Sequence, residues 1–230
     1  MRTLAVIPAR GGSERVPRKN LALLEGRTLV RRALETAGAS PFDCVALSSD
    51  DDEILAEAEG LEVVAVPRPS SLGTATTRTF DVVQHALGTL ERPGRFDAVA
   101  VIQATSPFTL PGDLAGALAL LEETGAASVV SVSRLEPGRH PLKLKRLDAD
   151  CRLTPYLAED GLTPSHELPP LWMRNGSIYL SRRFVLDGGR LIDESDVRGY
   201  EMPPERSFDI DTPRDLAFAR FLVERGADSE

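Results

Sequence analysis

Short apolar runs alternate with amphipathic patterns from the start of the chain to about Arg134. The runs predicted to be strands are residues 3–7, 44–47, 61–66, 98–102 and 127–132. Several are apolar without interruption, which is typical of strands buried on both faces. The segments with helical spacing of apolar residues lie near 28–37, 51–59, 76–90 and 111–123. This order predicts an α/β fold, a mostly parallel sheet that has helices on both faces and binds ligands at the carboxyl ends of its strands.

The alternation stops after Arg134. Prolines then break the chain into short extended pieces, so we expect residues 135–172 to form a small extended arm inserted in a single domain of residues 1–230. The main fold is predicted to resume with a strand at 176–180. A last helix is predicted to begin at Thr212, where an N-cap threonine, an N1 proline and an N3 acid follow in order.

Composition narrows the class of protein. Hydrophobic residues make up 42% of the chain and charged residues 27%, which is ordinary for a soluble globular protein. The net charge of −8 argues against a nucleic-acid or anionic-membrane partner. No apolar run approaches the ~20 residues that span a bilayer, no signal peptide is visible, and Cys44 and Cys151 form no disulfide framework. We therefore expect a cytoplasmic protein.

A glycine pair and a group of cations follow the first predicted strand. Gly11 and Gly12 carry no Cβ, so they can take positive φ and allow close approach of the backbone to a ligand. Successive N–H groups can converge there on phosphate oxygens. The side chains that can neutralise negative charge are Arg10, Arg15, Arg18 and Lys19. The spacing is that of neither a P-loop nor a dinucleotide fingerprint. The segment predicts a site for a polyanion such as a nucleotide triphosphate; the alternative is a strand-to-helix turn with a solvated basic rim.

A pair of carboxylates precedes the last predicted helix. Asp209 and Asp211 are alternate residues of an extended segment, so both can point to one face. Mg²⁺ usually takes one or two protein carboxylates plus phosphate oxygens. The alternative is that these acids only favour the helix N-terminus electrostatically. Together with the cationic loop, the pair predicts a metal–triphosphate site.

Two further polar segments follow predicted strands. The segment 48–52 contains Ser49, Asp50 and Asp51, and we expect Ser49 or Asp50 to cap the next helix, with the acids on its first turn. The segment 103–107 offers an amide and two hydroxyls to a polyhydroxylated ligand.

These motifs, taken in order, resemble the acylneuraminate cytidylyltransferases, or CMP-sialic acid synthetases. The likeness starts at 7–20 and continues through 68–69, 103–107, 140–143, 175–179 and 209–212. It implies a Rossmann-like nucleotidyltransferase fold and a homodimer joined through a domain-swapping dimerisation arm. It also implies a Mg²⁺-dependent reaction, in which the anomeric hydroxyl of a 2-keto-3-deoxy sugar acid attacks the α-phosphate of CTP.

The resemblance also implies roles for particular residues. Those implied to bind CTP are Ala9, Arg10, Gly11, Gly12, Ser13, Lys19, Asn20, Arg68 and Thr79. Those implied to face the sugar acid are Gln103, Thr105, Ser106, Lys143, Arg174 and Tyr179. Catalysis is assigned to Arg10, Arg15, Lys19 and Asp211, and the metal to Asp209 and Asp211.

The chain departs from the family at several positions. Glu14-Arg15 stands where the family usually has Lys-Gly, although Arg15 with Lys19 matches the Arg-x-Pro-x-Lys arrangement of CMP-Kdo synthetases. Two arginines that the family commonly has after Pro107 and in the arm are absent, and Arg174 could compensate. These departures leave two alternatives open. One is a cytidylyltransferase for another acceptor, such as a Kdo-like acid or a phosphonate, and the other is a nucleotide-binding regulator without turnover.

Overall fold

A mixed β-sheet with helices on both faces forms the centre of the molecule. The computed structural model describes residues 1–90, 95–157 and 163–225. The strands are β1 (Thr3–Pro8), β2 (Leu23–Leu24), β3 (Arg27–Thr28), β4 (Cys44–Ser49), β5 (Val64–Pro67), β6 (Ala98–Ile102), β7 (Ser128–Arg134), β8 (Lys145–Leu147), β9 (Leu153–Pro155), β10 (Trp172–Arg182) and β11 (Val197–Glu201). The helices are α1 (Leu29–Gly38), α2 (Asp52–Ala56), α3 (Thr79–Leu90), α4 (Pro111–Thr124), α5 (Arg183–Asp187) and α6 (Pro213–Glu224).

The central sheet has the strand order β11-β7-β10-β6-β1-β4-β5. Strand β1 pairs in parallel with both β4 and β6, while β10 runs antiparallel to its neighbours β6 and β7. The prediction of a mostly parallel α/β sheet is thus confirmed. Since the chain leaves β1 towards β4 on one side and later fills β6 on the other, the order reverses beside β1, where such sheets bind ligands.

Alternate residues of the central strands feed two different cores. Ala5 and Ile7 of β1 pack with side chains of α1, α2 and α4, whereas Leu4 and Val6 pack with α3 and α5. The sheet is therefore covered on both faces, as the uninterrupted apolar runs predicted. A third apolar cluster joins α6 to Val16.

Several strands differ from the predictions. Strand β5 covers Val64–Pro67 where residues 61–66 were predicted. Strand β10 is longer than the predicted 176–180 and contains an irregularity in its pairing with β7 between Arg174 and Tyr179. Gly176 lies inside it with a φ of +83°, a conformation that a glycine adopts without strain. Strand β11 was not predicted, because its mixed polar sequence lacks an alternating apolar pattern.

The segment predicted as an extended arm contains short turns as well as strands. In its described residues, 3-10 turns occur at Pro137–Arg139, Pro141–Lys143 and Ser165–Glu167. Strands β8 and β9 form a two-stranded antiparallel hairpin. Residues 158–162 of the arm lie outside the described residues. The role of the arm in dimerisation and its place within a single domain remain predictions. None of the helices in the described residues has the length and apolar content that a bilayer crossing requires.

Candidate active site

A cleft opens at the carboxyl edge of the parallel strands, beside the reversal point at β1. Its volume is about 540 Å³, which is ordinary for a small-molecule site. The residues that line it are Pro8, Arg10, Ser13, Glu14, Arg15, Val16, Lys19, Asn20, Arg68, Leu72, Thr74, Ala75, Thr77, Thr79, Val82, Gln103, Thr105, Gly176, Tyr179, Asp209 and Asp211. The two motifs predicted to form a metal–triphosphate site therefore meet in one cavity.

The loop after β1 is anchored by contacts to its own backbone and to the core. The side-chain amide of Asn20 is buried and donates to the carbonyl oxygen of Arg10 at 2.9 Å. Val16 is buried in the cluster beneath α6, and the backbone N–H of Lys19 donates to its carbonyl at 3.1 Å. These contacts hold Arg10 and Ser13 at the cleft wall.

The glycine pair does not have the backbone conformation that the sequence analysis allowed for, and its part in binding CTP stays a prediction. Neither Gly11 nor Gly12 takes a positive φ. A Cβ on Gly11 would lie 2.5 Å from Oδ2 of Asp51, so this position needs glycine because another side chain packs against it. Neither glycine lines the cleft, and Ala9 is buried with its N–H donating to the carbonyl of Ser48 at 3.0 Å.

The cations of the loop separate into two groups. Arg15 Nη1 lies 3.0 Å from Oδ2 of Asp211, and Lys19 Nζ lies 3.3 Å from Oδ1 of the same carboxylate. Arg10 also lines the cleft, and no described acid lies within ion-pair distance of its guanidinium. Arg18 instead pairs with Asp51 and Glu53 and does not line the cleft.

Arg68 contributes a buried positive charge to the opposite wall. Its side chain is 3% exposed, and its Nη2 lies 3.2 Å from Oδ1 of Asp50. Burial lowers the pKa of Arg68 and the charge of Asp50 opposes this shift. Among the described residues, Nε and Nη1 have no hydrogen-bond partner. A ligand acceptor in the cleft would satisfy them, since buried unpaired donors are costly.

The loop between β5 and α3 supplies residues that the sequence analysis missed. Thr74 and Thr77 line the cleft, and their hydroxyls are 2.8 Å apart. Gly73 lets this loop pack closely against the carboxylate of Asp50, because a Cβ there would overlap it. The position of this loop in the sequence could have indicated its role, because a loop that follows a parallel strand is expected at the ligand-binding edge of the sheet.

The segment before α6 presents its two acids to the cleft. Between them, Ile210 is fully buried and its N–H donates to the carbonyl of Thr105 at 2.8 Å. Loss of hydration raises the pKa of Asp209, and the negative charge of Asp211 raises it further. A hydrogen bond from the side chain of Thr105 acts in the opposite direction. The Asp211 N–H donates to Asp215 at 3.0 Å, which fixes this residue at the start of α6.

The donor set fits Mg²⁺. In the part of the chain that the structure describes, no group of three or more His, Cys, Asp or Glu side chains is placed to hold a metal. Asp209 and Asp211 supply two carboxylates to a cleft that Arg10, Arg15 and Lys19 also line, and Mg²⁺ sites in proteins usually complete their shell with water and phosphate oxygens. A cation between them would also relieve the repulsion that contributes to the raised pKa of Asp209.

The residues predicted to face the sugar acid are only partly brought together. Gln103, Thr105 and Tyr179 line the cleft, and burial raises the pKa of Tyr179. Ser106 is buried outside the lining, and its hydroxyl has no hydrogen-bond partner among the described residues.

Two predicted acceptor cations lie elsewhere. Lys143 donates to the carbonyl of Thr163 within the arm, and Arg174 contacts Glu194 at 2.6 Å. Neither side chain lines the cleft.

The acidic segment after β4 is structural, and Asp52 lies in the first turn of α2 as expected, but the capping residue differs from the prediction. Asp51, and not Ser49 or Asp50, caps α2: its Oδ1 accepts from the N–H groups of Glu53 and Ile54 at 3.0 and 3.2 Å. The Asp51 side chain fits this position because Gly11 leaves room for it.

Comparisons with known proteins agree on one family. The model of the family described as "Cytidylyltransferase" matches residues 4–224. The CMP-N,N'-diacetyllegionaminic acid synthase of Legionella pneumophila is 32% identical over 97% of both chains. N-acylneuraminate cytidylyltransferase A of Danio rerio is 31% identical over 96% of this chain and 50% of its own, so the chain spans about half of that relative. The pseudaminic acid cytidylyltransferase of Campylobacter jejuni is 28% identical over 97% of both.

Solved structures support the fold. The structure of a CMP:2-keto-3-deoxy-manno-octonic acid synthetase complexed with CTP superimposes with a TM-score of 0.73 at 19% identity, over 98% of this chain and 100% of that one. A 4-diphosphocytidyl-2C-methyl-D-erythritol synthase from Anaerococcus prevotii gives 0.66 at 15% identity, over 97% of this chain and 99% of its own.

Proposed function

This chain belongs to the cytidylyltransferase family, and we propose that it transfers CMP from CTP to the anomeric hydroxyl of a 2-keto-3-deoxy sugar acid of the sialic acid type, releasing pyrophosphate. Family membership confirms the resemblance found in the motifs. The proposed acid is of the kind named for its relatives, which are named for N-acylneuraminate, N,N'-diacetyllegionaminic acid and pseudaminic acid, and the similar synthetase structure is complexed with CTP.

The observation that carries this proposal is the meeting of opposite charges in the cleft. Arg15 and Lys19 of the β1 loop contact Asp211, which lies 192 residues after Lys19 in the chain. Phosphate-binding cations and metal-binding acids are both needed where a nucleotide triphosphate reacts. In a pocket that bound only an uncharged sugar, neither group would have a function.

In the proposed reaction a P–O bond forms as another breaks. The anomeric oxygen attacks the α-phosphorus, its proton is released, and the bond from that phosphorus to the pyrophosphate oxygen is cleaved. Arg10, Arg15 and Lys19 would neutralise charge on the phosphates and on the leaving pyrophosphate. Gln103 and Tyr179 would orient the acceptor, and such positioning supplies much of the rate in phosphoryl transfer.

Asp209 and Asp211 would hold Mg²⁺. The chemistry that this ion supplies when bound is Lewis-acid polarisation of a phosphate oxygen. The protein's own contribution is to present both carboxylates from a segment fixed by the buried Ile210 and by the hydrogen bond from Asp211 to Asp215.

A second candidate is a cytidylyltransferase with a different acceptor, such as a Kdo-like acid or a phosphonate. It is favoured by the positions of Lys143 and Arg174, which lie outside the lining of the cleft. The carboxylate of the acceptor would then be held by groups other than Lys143 and Arg174, and the acceptor would carry substituents different from those of a sialic acid.

Pyrophosphate release tests both candidates. The purified protein is incubated with CTP, Mg²⁺ and a panel of N-acylneuraminic, legionaminic and pseudaminic acids, Kdo and a hydroxyphosphonate, with ATP, GTP and UTP as nucleotide controls. We expect release with CTP and a sialic-type acid. Release with Kdo or the phosphonate alone would select the second candidate, and no release with any acid would sink both.

We also propose that the protein acts as a cytoplasmic homodimer joined through the arm. Support comes from apolar side chains that the arm leaves exposed, Leu147 at 65% and Leu153 at 64%, and from Trp172 at its base at 48%. Light scattering on the wild type and on Leu147→Glu/Leu153→Glu tests this. We expect a dimer for the former and a monomer for the latter; a wild-type monomer would refute it.

A further inference from the structure

Both oxygens of one metal-binding carboxylate are occupied by cations of the protein. Asp211 Oδ2 faces Arg15 at 3.0 Å and Oδ1 faces Lys19 at 3.3 Å. Asp209 has no ion pair among the described residues. A metal ion that arrives at Asp211 must therefore compete with two positive charges already there.

The two cations are held to different degrees. The Lys19 side chain is 17% exposed, and its Nζ also donates to the carbonyl of Ile210 at 2.8 Å. The Arg15 side chain is 69% exposed, and Asp211 is the acid within ion-pair distance of it. An exposed pair of this kind changes an equilibrium by less than about fivefold. Arg15 is thus a weakly held, movable occupant, while Lys19 is a fixed part of the wall.

We propose that Arg15 holds Asp211 in the nucleotide-free protein and moves to the phosphates when nucleotide enters, so that a divalent cation binds Asp211 more tightly once the nucleotide is bound. This inference rests on the proposed function, because it assumes that the phosphates occupy the cleft between Arg10 and Lys19. It assigns to Arg15 a role in the order of binding as well as in charge neutralisation.

The coupling must be reciprocal. If nucleotide binding releases Asp211 and raises its affinity for a metal, then the metal raises the affinity for nucleotide by the same factor. Arg15 stands where the acylneuraminate cytidylyltransferases usually have an uncharged glycine, so the coupling depends on a side chain that this motif usually lacks. Removing the guanidinium should tighten metal binding to the free protein and weaken the coupling.

The test measures Mn²⁺ binding to the nucleotide-free protein, by the electron paramagnetic resonance signal of free Mn²⁺. Arg15→Gln should bind Mn²⁺ about two- to fivefold more tightly than the wild type, the range of an exposed ion pair. The matched control is Arg18→Gln, which removes the same charge three residues away but at a side chain paired with Asp51 and Glu53. It should leave Mn²⁺ affinity unchanged.

Two further measurements tie the effect to Asp211 and to nucleotide. In an Asp211→Asn background, Arg15→Gln should produce no tightening. With α,β-methylene-CTP, which cannot be cleaved at the reacting bond, the ratio of Mn²⁺ affinities with and without nucleotide should be larger in the wild type than in Arg15→Gln.

The outcomes that overturn the proposal are distinct from failure of the enzyme assay. Equal Mn²⁺ affinity in Arg15→Gln and Arg18→Gln overturns it, as does an absence of Mn²⁺ binding in both the wild type and Arg15→Gln. Both of these Mn²⁺ binding results can be obtained without enzymatic turnover. A protein that releases no pyrophosphate would refute the proposed function while the Mn²⁺ comparison of the free protein still reports on Arg15 and Asp211.

Discussion

Two pairs of aspartates lie at the same edge of the sheet and have different roles. Asp50 and Asp51 follow β4, and both are used by the protein: Asp50 pairs with the buried Arg68, and Asp51 caps α2. Asp209 and Asp211 precede α6, and both line the cleft. Residue type and position relative to a helix are similar in the two pairs, so neither explains the difference.

The difference lies in which residue satisfies the helix N-terminus. At α2, Asp51 accepts from the first free N–H groups itself. At α6, Thr212 and Asp215 form a reciprocal capping box and leave the preceding acids uncommitted to the helix. A carboxylate near a helix start is available to a ligand when another residue caps that helix and no buried cation pairs with it, as Arg68 does with Asp50. The following changes test this comparison of the two pairs.

The largest effect is expected at Asp211. Asp211→Asn should lower kcat by about 10³-fold, because a bound metal supplies several kcal/mol of charge stabilisation. Steady-state pyrophosphate release measures it. The matched change in the other pair, Asp51→Asn, keeps a capping oxygen and should stay within a few-fold of wild type. Equal losses at both positions would show that the two pairs do not differ in function.

Asp50→Asn comes next, and its effect is on stability. The change leaves the guanidinium of Arg68, 3% exposed, without its carboxylate. Removing one partner of a buried pair costs about 3 kcal/mol. Urea unfolding would measure this. Arg18→Gln, which breaks exposed pairs, should cost far less, and a similar cost for both would contradict the burial argument.

Asp51→Ala should cost about 1 kcal/mol, since it removes the N-cap of α2. Asp51→Asn should recover most of that loss, because asparagine caps nearly as well. Both values follow from urea unfolding midpoints at constant slope. An alanine variant as stable as the wild type would mean that the cap is dispensable.

The smallest expected effect is a gain in the free energy of unfolding, for Asp209→Asn. The pKa of Asp209 is raised above 3.8 by loss of hydration and by Asp211, so its ionised form opposes folding at neutral pH. Asp209→Asn should therefore stabilise the metal-free protein at pH 7, by less than about 1 kcal/mol.

The gain should shrink as the pH falls through the raised pKa and vanish below 3.8, where the carboxyl is neutral in both folded and unfolded chains. Thermal unfolding between pH 8 and 4 would show the trend. A gain that is constant with pH would rule out an electrostatic origin.

Periodicity and motif order predicted much of this molecule. Five apolar runs predicted strands that run parallel in the central sheet, and residues 212–215 predicted the start of α6. Both patterns depend only on residues that are neighbours in the sequence. That the cationic loop and the pair Asp209 and Asp211 share one site was predicted from a chemistry that needs both, and both line the cleft; the contact of Lys19 with Asp211 at 3.3 Å was not predicted.

The features that the sequence did not predict depend on contacts between segments that are far apart in the chain. The requirement for glycine at Gly11 comes from Asp51, and the close packing of Gly73 comes from Asp50. The direction of β10 is equally non-local, since an apolar strand has no sequence signal for parallel or antiparallel pairing. The positions of Lys143 and Arg174 outside the cleft could not be inferred from a linear motif.

The capping box of α6 also sets when the site can exist during synthesis of the chain. Asp215 Oδ2 accepts from the N–H groups of Asp211 and Thr212, so the acid that faces Arg15 is held by a residue four positions further on. The strands that carry the β1 loop emerge from the ribosome long before this segment. A nascent chain can therefore build most of its sheet while its cleft lacks both acids, and these acids can meet Arg15 and Lys19 only once α6 has been made and has docked.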